Sequence, residues 1–120
     1  MYCKLIMKNF VNKPWGSYEI INEGAKFTIK KIIVNPGGQL SLQSHKYRSE
    51  HWLIAEGVAE VIINEKTYNL NENEHIFIPQ GSKHSLANRG SINLIVIEMW
   101  FGDNLDEEDI KRYEDIYGRN

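Results

Sequence analysis

Short apolar runs rich in isoleucine and valine recur along the chain, and turn-forming residues separate them. The runs are Phe27–Val34, Trp52–Ala55, Val58–Ile63, Ile76–Ile78 and Ile92–Phe101. Asn-Pro-Gly-Gly, Glu-Gly and Pro-Gln-Gly are among the sequences that interrupt them. β-Branched runs at this close spacing are typical of an all-β sandwich or barrel. The last run is apolar at both alternating sets of positions, so we expect a central strand covered on both faces.

The pattern changes period near the end of the chain. Asn104 and Glu107 have the spacing of a helical capping box, and acidic residues crowd the turn where a helix dipole favours negative charge. Ile110, Tyr113 and Tyr117 would share one face of that helix. The sequence therefore predicts a C-terminal α-helix at 104–118. It would pack on a β-barrel core at 13–102, within a single domain of residues 1–120.

Composition excludes several classes of function. The 14 basic and 16 acidic side chains give a net charge of −2, whereas a broad nucleic-acid surface usually needs a basic excess. Cys3 is the single cysteine, so an internal disulfide is excluded and a reducing compartment is indicated. No apolar stretch approaches the ~20 residues of a membrane span, and the start lacks a signal-peptide core. We expect a cytoplasmic protein with neither nucleic-acid nor membrane partners.

Four side chains that bind metals occur at spacings that suit neighbouring strands. Gln43 and His45 are two residues apart and would project from one face of a strand. Glu50 would begin the next strand, and His84 follows a Pro-Gly turn. Two imidazoles, a carboxylate and an amide oxygen can hold a first-row metal and leave positions for substrate. The pattern predicts one divalent ion, Zn²⁺ first, with Mn, Co, Ni or Fe as alternatives. The competing interpretation is a metal-free pocket whose polar groups satisfy one another.

The spacing at 37–57 and 79–88 matches two motifs of the cupin proteins in order. The first is G-x5-H-x-H-x4-E-x6-G, with Gln43 in the first histidine position, and the second contains P-x-G-x-x-H-x3-N. Asn73 stands where the second motif usually begins with glycine. The resemblance implies an all-β cupin fold, a double-stranded β-helix or jelly-roll barrel.

Most of the chain further resembles type II mannose-6-phosphate isomerase. That family is the cupin domain at the C-terminus of bifunctional mannose-1-phosphate guanylyltransferase/mannose-6-phosphate isomerases, and it also occurs alone. Four stretches carry the similarity: KPWGSYEII from Lys13, LSLQSHKYRSEHW from Leu40, IPQGSKHSLAN from Ile78 and LDEEDIKRYEDIYGR from Leu105. By this resemblance the family's metal positions fall on Gln43, His45, Glu50 and His84. Two departures are Tyr47, where relatives usually carry His, and Lys13, where Arg is frequent.

The resemblance implies interconversion of mannose 6-phosphate and fructose 6-phosphate, feeding GDP-mannose and polysaccharide precursors. Such an isomerase needs a metal, a proton-transferring group and an anchor for the phosphate of its small-molecule substrate. For proton transfer the candidates are Lys46, Tyr47, Arg48 and Glu98. For the phosphate Arg48, Lys83 and Arg112 are the leading candidates, and Lys13 and Arg89 are further ones. No glycine-rich phosphate loop precedes a helix, so guanylyltransferase activity is not expected.

Two alternative functions remain, and an assembly is also predicted. The first alternative is a non-catalytic sugar-binding or regulatory cupin, which Tyr47 favours. The second is an isomerase or epimerase acting on another sugar phosphate or a nucleotide sugar.

Alternation places Leu40, Leu42 and Leu53 away from the predicted ligands, and a small barrel has only one interior. These residues predict a homodimer, with strand exchange at the N-terminus as one form of it.

Overall fold

The computed structural model describes residues 10–119, which form eleven β-strands. The strands are β1 (Phe10–Lys13), β2 (Gly16–Glu23), β3 (Phe27–Val34), β4 (Leu42–Ser44), β5 (Ser49–Glu56), β6 (Ala59–Ile63), β7 (Lys66–Leu70), β8 (His75–Ile78), β9 (His84–Ala87), β10 (Leu94–Phe101) and β11 (Lys111–Glu114). Within these residues no helix is long and apolar enough to cross a membrane. Cys3 and the N-terminal segment proposed for strand exchange lie outside the described residues.

The strands form two antiparallel sheets whose inner faces enclose the core. The larger sheet has six strands in the order β1-β2-β3-β10-β5-β8, and the smaller has five in the order β11-β4-β9-β6-β7. Neighbours are mostly distant in sequence, as where β10 lies between β3 and β5. The predicted all-β barrel is therefore confirmed.

The barrel interior is apolar at one end and polar at the other. Strict alternation along β3 points Ile32 and Val34 into the core, where each is at most 3% exposed. Two residues earlier on the same inner face stands Lys30, which is equally buried. On the neighbouring strand β10, apolar Val96 pairs with Ile32, and polar Glu98 pairs with Lys30. The inner face therefore changes from apolar to polar at the same position along both strands. The polar end is where a site can be built.

The central position predicted for the last apolar run is confirmed, but its cover on both faces is not. Met99 and Phe101 on the outer face of β10 are 38% and 53% exposed, and Leu53 on β5 is 39% exposed. Leu40 was expected on an outer face and instead belongs to the core, because it precedes β4 and strand alternation does not hold there. Residues 10–119 of this chain leave the outer face uncovered, and the homodimer stays a prediction.

The expected C-terminal helix at 104–118 is wrong. The segment instead runs as turns and strand β11, which pairs with β4 at the edge of the smaller sheet. The Asp106 side chain accepts a hydrogen bond from the Glu108 amide, a local bond that competes with helix formation. The Asp109 carboxylate accepts hydrogen bonds from the backbone amides of Lys46 and Tyr47. Tertiary bonds and a free strand edge therefore outweigh the local helical pattern.

Asn73 explains how the second motif tolerates losing its glycine. Its φ is 70°, in the left-handed region that glycine and asparagine adopt most readily. The turn conformation is therefore kept by the residue type that replaces glycine at least cost.

The asparagine that ends the second motif is predicted to be a stability determinant. Asn88 is fully buried; its Nδ2 donates to the carbonyls of Val34 and Ile92, and its Oδ1 accepts from the Gly90 amide. Asn88→Ala should lower the free energy of unfolding by about 2–4 kcal/mol, because buried carbonyls lose their donors. Urea denaturation measures this, with exposed Asn69→Ala as the control. Equal stability of the two variants would contradict the assignment.

Candidate metal centre and pocket

The structure brings the four predicted metal-binding side chains to the polar end of the barrel. Gln43 lies on β4 directly opposite His84, the first residue of β9, and His45 follows the end of β4. Glu50 faces them from β5 in the larger sheet. All four are buried, with at most 9% exposure. One ligand atom from each of His45, Glu50 and His84 lies within 4.8 Å of the others. These three residues can hold a metal ion.

Backbone carbonyls fix the orientation of both imidazoles. The Nδ1 atom of His45 lies 2.7 Å from the Asp109 carbonyl, and Nδ1 of His84 lies 3.0 Å from the Ser82 carbonyl. A carbonyl only accepts, so each Nδ1 carries the hydrogen and each Nε2 presents a lone pair. The buried Nε2 of His84 has no hydrogen-bond partner. This is the arrangement of metal-binding histidines, whose second nitrogen is held by an outer group.

The protonation states suit a cation. Burial, the largest influence, lowers the pKa of His45 to about 4, and it also lowers the pKa of His84. Burial alone would raise the pKa of Glu50, but the Arg48 guanidinium and then the histidines lower it to about 2. At neutral pH the His45 Nε2 therefore faces the Glu50 carboxylate across 3.1 Å as two acceptors. Both groups could serve as ligands of a metal ion, whose positive charge would offset the repulsion between the two acceptors.

Two Glu-x-Trp units stand side by side on β5 and β10. The Trp52 indole donates to Glu50 Oε1 at 2.9 Å, and the Trp100 indole donates to Glu98 Oε1 at 2.8 Å. Because the strands are antiparallel, Glu50 lies opposite Trp100 and Glu98 opposite Trp52. Burial and then the charge of Glu50 raise the pKa of Glu98 well above its usual range. Glu98 therefore favours its neutral form more strongly than an ordinary glutamate does, next to a carboxyl group that favours its ionised form.

Arg48 holds the charged carboxylate in place. Its Nε donates to Glu50 Oε2 at 2.8 Å, and its guanidinium carbon lies 3.4 Å from the centre of the Trp100 ring. The Nη2 atom lies 3.3 Å from Nε2 of His45, while Nη1 approaches the Asp109 carbonyl at 3.5 Å. Arg48 is 5% exposed, so it forms part of the pocket wall and is already bound to Glu50.

A pocket opens beside this group, between the polar ends of the two sheets and the C-terminal segment. Its acidic and basic lining residues are Lys13, Lys30, His45, Arg48, Glu50, Glu98, Glu107, Arg112 and Arg119. Basic residues therefore outnumber acidic ones, and the raised pKa of Glu98 disfavours the charge of one of the acids. The balance favours an anionic ligand.

Three predicted site residues are not among those that line the pocket. Lys46 and Tyr47 are exposed, the latter by 45%, because the chain bends after His45 and strand alternation ends there. Lys83 directly precedes His84, so its side chain points to the opposite face of the sheet. Its ammonium lies 4.3 Å from the centre of the Tyr113 ring. Of the leading phosphate anchors, the structure brings Arg48 and Arg112 to the pocket; the further candidate Lys13 also lines it, whereas Arg89 does not.

Sequence reasoning missed Lys30, which lies deep in the pocket wall. Its ammonium is 2.8 Å from the Glu107 carboxylate and 3.7 Å and 4.1 Å from the centres of the Trp100 and Tyr18 rings. The sequence contained a signal for this position, because Lys30 is two residues from Ile32 on a strand and therefore lies on the same, inward face. The repeated Glu-x-Trp unit would similarly have favoured Glu98 over the other proton-transfer candidates.

Solved structures share the fold. CapF from Staphylococcus aureus, a capsular polysaccharide assembling protein, superimposes with a TM-score of 0.76 at 20% identity, covering 88% of this chain and 34% of that one. The Schizosaccharomyces pombe Cnp3 cupin domain gives 0.69 at 17% identity, covering 79% of this chain and 69% of that one. At these identities the likeness concerns the fold alone. The fold is that of the cupins.

Sequence similarity is more specific. The family described as "Mannose-6-phosphate isomerase C-terminal" matches residues 4–115, and the chain belongs to this family. The alginate biosynthesis protein AlgA of Pseudomonas aeruginosa is 49% identical over 109 residues, or 91% of this chain. ManC of Salmonella typhimurium, a mannose-1-phosphate guanylyltransferase, is 46% identical over 113 residues, or 94% of it. The chain spans 23% and 24% of the lengths of these relatives.

The geometry predicts that metal binding depends on the orphaned histidine nitrogen. His84→Ala should weaken Zn²⁺ affinity by roughly 100-fold or more, because even outer-shell partners of metal ligands contribute 10–100-fold. Competition with a chromophoric chelator measures the affinity. His75→Ala removes an exposed imidazole from β8 and should leave it unchanged. Equal affinities in the two variants would exclude this centre.

Proposed function

We propose that this chain is a metal-dependent aldose–ketose isomerase that interconverts mannose 6-phosphate and fructose 6-phosphate. Membership of the mannose-6-phosphate isomerase C-terminal family supports the proposal. Relatives named for alginate and guanylyltransferase functions further support a role in supplying GDP-mannose for polysaccharides. The observation that carries the proposal is the buried group of His45, Glu50 and His84. It lies beside a pocket that is lined by several basic side chains.

The residues present fit a divalent ion. His45, Glu50 and His84 would hold it, and the amide oxygen of Gln43 is the fourth candidate ligand. Zn²⁺ suits two imidazoles and a carboxylate, and Mn, Co, Ni and Fe remain alternatives. When bound, the ion supplies a Lewis acid that stabilises negative charge on the sugar oxygens.

Glu98 is the best-placed group to carry the proton between adjacent sugar carbons. It lines the pocket, is 6% exposed and is oriented by the Trp100 indole. A carboxyl group with a raised pKa can both give and take a proton near neutral pH, as a reversible isomerisation requires. Arg48 is bound to Glu50 and would act by fixing that carboxylate.

The non-catalytic alternative loses the feature that favoured it. Tyr47 replaces a histidine that relatives usually carry, but its side chain is exposed and is not among the pocket-lining residues. The substitution therefore removes no group from the pocket wall. Cytoplasmic location and homodimer formation stay predictions.

The proposed activity is tested with a coupled assay for fructose 6-phosphate production from mannose 6-phosphate. Metal-stripped protein should be inactive, and reloading with Zn²⁺, Mn²⁺, Co²⁺ or Ni²⁺ should restore turnover with at least one ion. Glucose 6-phosphate serves as the substrate control. Absence of turnover with every ion, in protein shown to bind metal, would contradict the isomerase assignment.

The role of Glu98 predicts a loss of rate without a loss of metal. Glu98→Gln keeps the shape of the side chain but removes the exchangeable acid, so kcat should fall by about 10²–10⁴-fold. Zn²⁺ affinity, measured by chelator competition, should change little. Glu56→Gln at the exposed end of β5 is the control. A kcat within about twofold of the unmodified protein would remove Glu98 from the mechanism.

A further inference from the structure

Three basic residues from opposite ends of the described chain lie along one side of the pocket. Lys13 ends β1, Arg112 lies on β11, and Arg119 follows it. Their proximity is reflected in the pKa of Lys13, which burial lowers first and the charges of Arg119 and Arg112 lower next. Like charges held together in this way repel one another, so the cluster is stabilised by binding an anion.

Arg112 has a donor directed at no acceptor. Its Nε is buried and has no hydrogen-bond partner, and no ion pair joins its guanidinium to a described residue. Buried guanidinium nitrogens are normally satisfied, so an orphaned donor in a pocket wall points to a missing ligand. Among side chains arginine is the best suited to bind phosphate oxygens in pairs.

Arg119 is held rigidly beside the pocket. The Asp115 carboxylate accepts from its Nε at 2.7 Å, from its Nη2 at 3.2 Å and from its backbone amide at 2.7 Å. Asp115 offsets one of the three positive charges, which leaves a net charge of about two. A phosphate monoester carries about −1.5 to −2 at neutral pH, so the charges of the two groups match.

The strand register relates this cluster to the metal centre. Arg112 pairs with Gln43 on β4, and Gln43 pairs with His84 on β9. The three residues form one row across the smaller sheet, and Arg112 and His84 are two strand spacings apart, about 10 Å between their backbones. That separation is of the order of a six-carbon sugar with its phosphate.

We infer that Lys13, Arg112 and Arg119 form a subsite for the phosphate group of a sugar phosphate whose reacting end lies at the His45, Glu50 and His84 group. The inference rests on the proposed function for the identity of the sugar and goes beyond it in naming the residues that recognise the phosphate. It leaves out Lys83, keeps Lys13 and Arg112 from the candidates that the sequence offered, and adds Arg119.

Binding to the 120-residue chain tests the subsite independently of turnover. Calorimetry with mannose 6-phosphate and with inorganic phosphate should show that Arg112→Gln raises the dissociation constant for both at least tenfold. Zn²⁺ affinity should stay unchanged. Lys111→Gln is the matched control, because it makes the same change of charge on the adjacent, exposed residue of β11. Mannose 1-phosphate, whose phosphate is next to the reacting end, should bind more weakly than mannose 6-phosphate.

Lys13→Gln provides a second variant that leaves the β11 segment intact, and it should raise the same dissociation constants severalfold. Binding within twofold of the unmodified protein in both folded variants, or equal weakening by Lys111→Gln, would overturn the subsite. Phosphate binding that depends on Arg112 in a protein without isomerase activity would support the subsite and refute the proposed function. Turnover with a KM that is insensitive to Arg112→Gln would refute the subsite alone.

Discussion

One ionised carboxylate buried inside the barrel determines much of the surrounding structure. Glu50 is 2% exposed, and a charge in that position is strongly unfavourable unless both oxygens are bonded. Trp52 bonds one oxygen and Arg48 the other, and Arg48 in turn stacks on Trp100 and reaches carbonyls of the C-terminal segment, Asp109 among them. Satisfying a single charge therefore ties together two strands, the loop between β4 and β5, and the end of the chain.

Two carboxyl groups that accept from the same kind of donor have pKa values shifted in opposite directions. Glu50 and Glu98 each accept from a tryptophan two residues later, yet the pKa of Glu50 is lowered and that of Glu98 is raised. The difference arises from the position of Arg48, which donates a hydrogen bond to Glu50 directly. At Glu98, burial and the negative charge of Glu50 raise the pKa. When the surroundings shift the pKa values of two glutamates apart in this way, the same residue type can supply both an acid and a base.

The sequence allowed the inward-facing residues within strands to be predicted, because side chains alternate with a fixed period of two. Gln43 and Glu50 face the pocket for this reason, whereas the convergence of the ligand set was predicted from the joint spacing of the two cupin motifs. Alternation fails where the chain bends, which is why Tyr47, a candidate for proton transfer, is exposed and lies outside the pocket lining. The C-terminal segment could not be predicted, because the amides that Asp109 bonds lie more than sixty residues away. The inward position of Lys30 was not predicted, because β3 is apolar on average and a lysine in such a run suggests a solvent-exposed position.

The dependence of the centre on the C-terminal segment has a consequence for the order in which the protein is made. A ribosome adds roughly 5–20 residues per second, so the ten strands through Phe101 are synthesised before β11 exists. Until Asp109 arrives, His45 lacks the carbonyl that orients its ring. The order of synthesis therefore makes the orientation of His45 one of the last features of the candidate site to be fixed, because the carbonyl that holds its ring lies beyond β10.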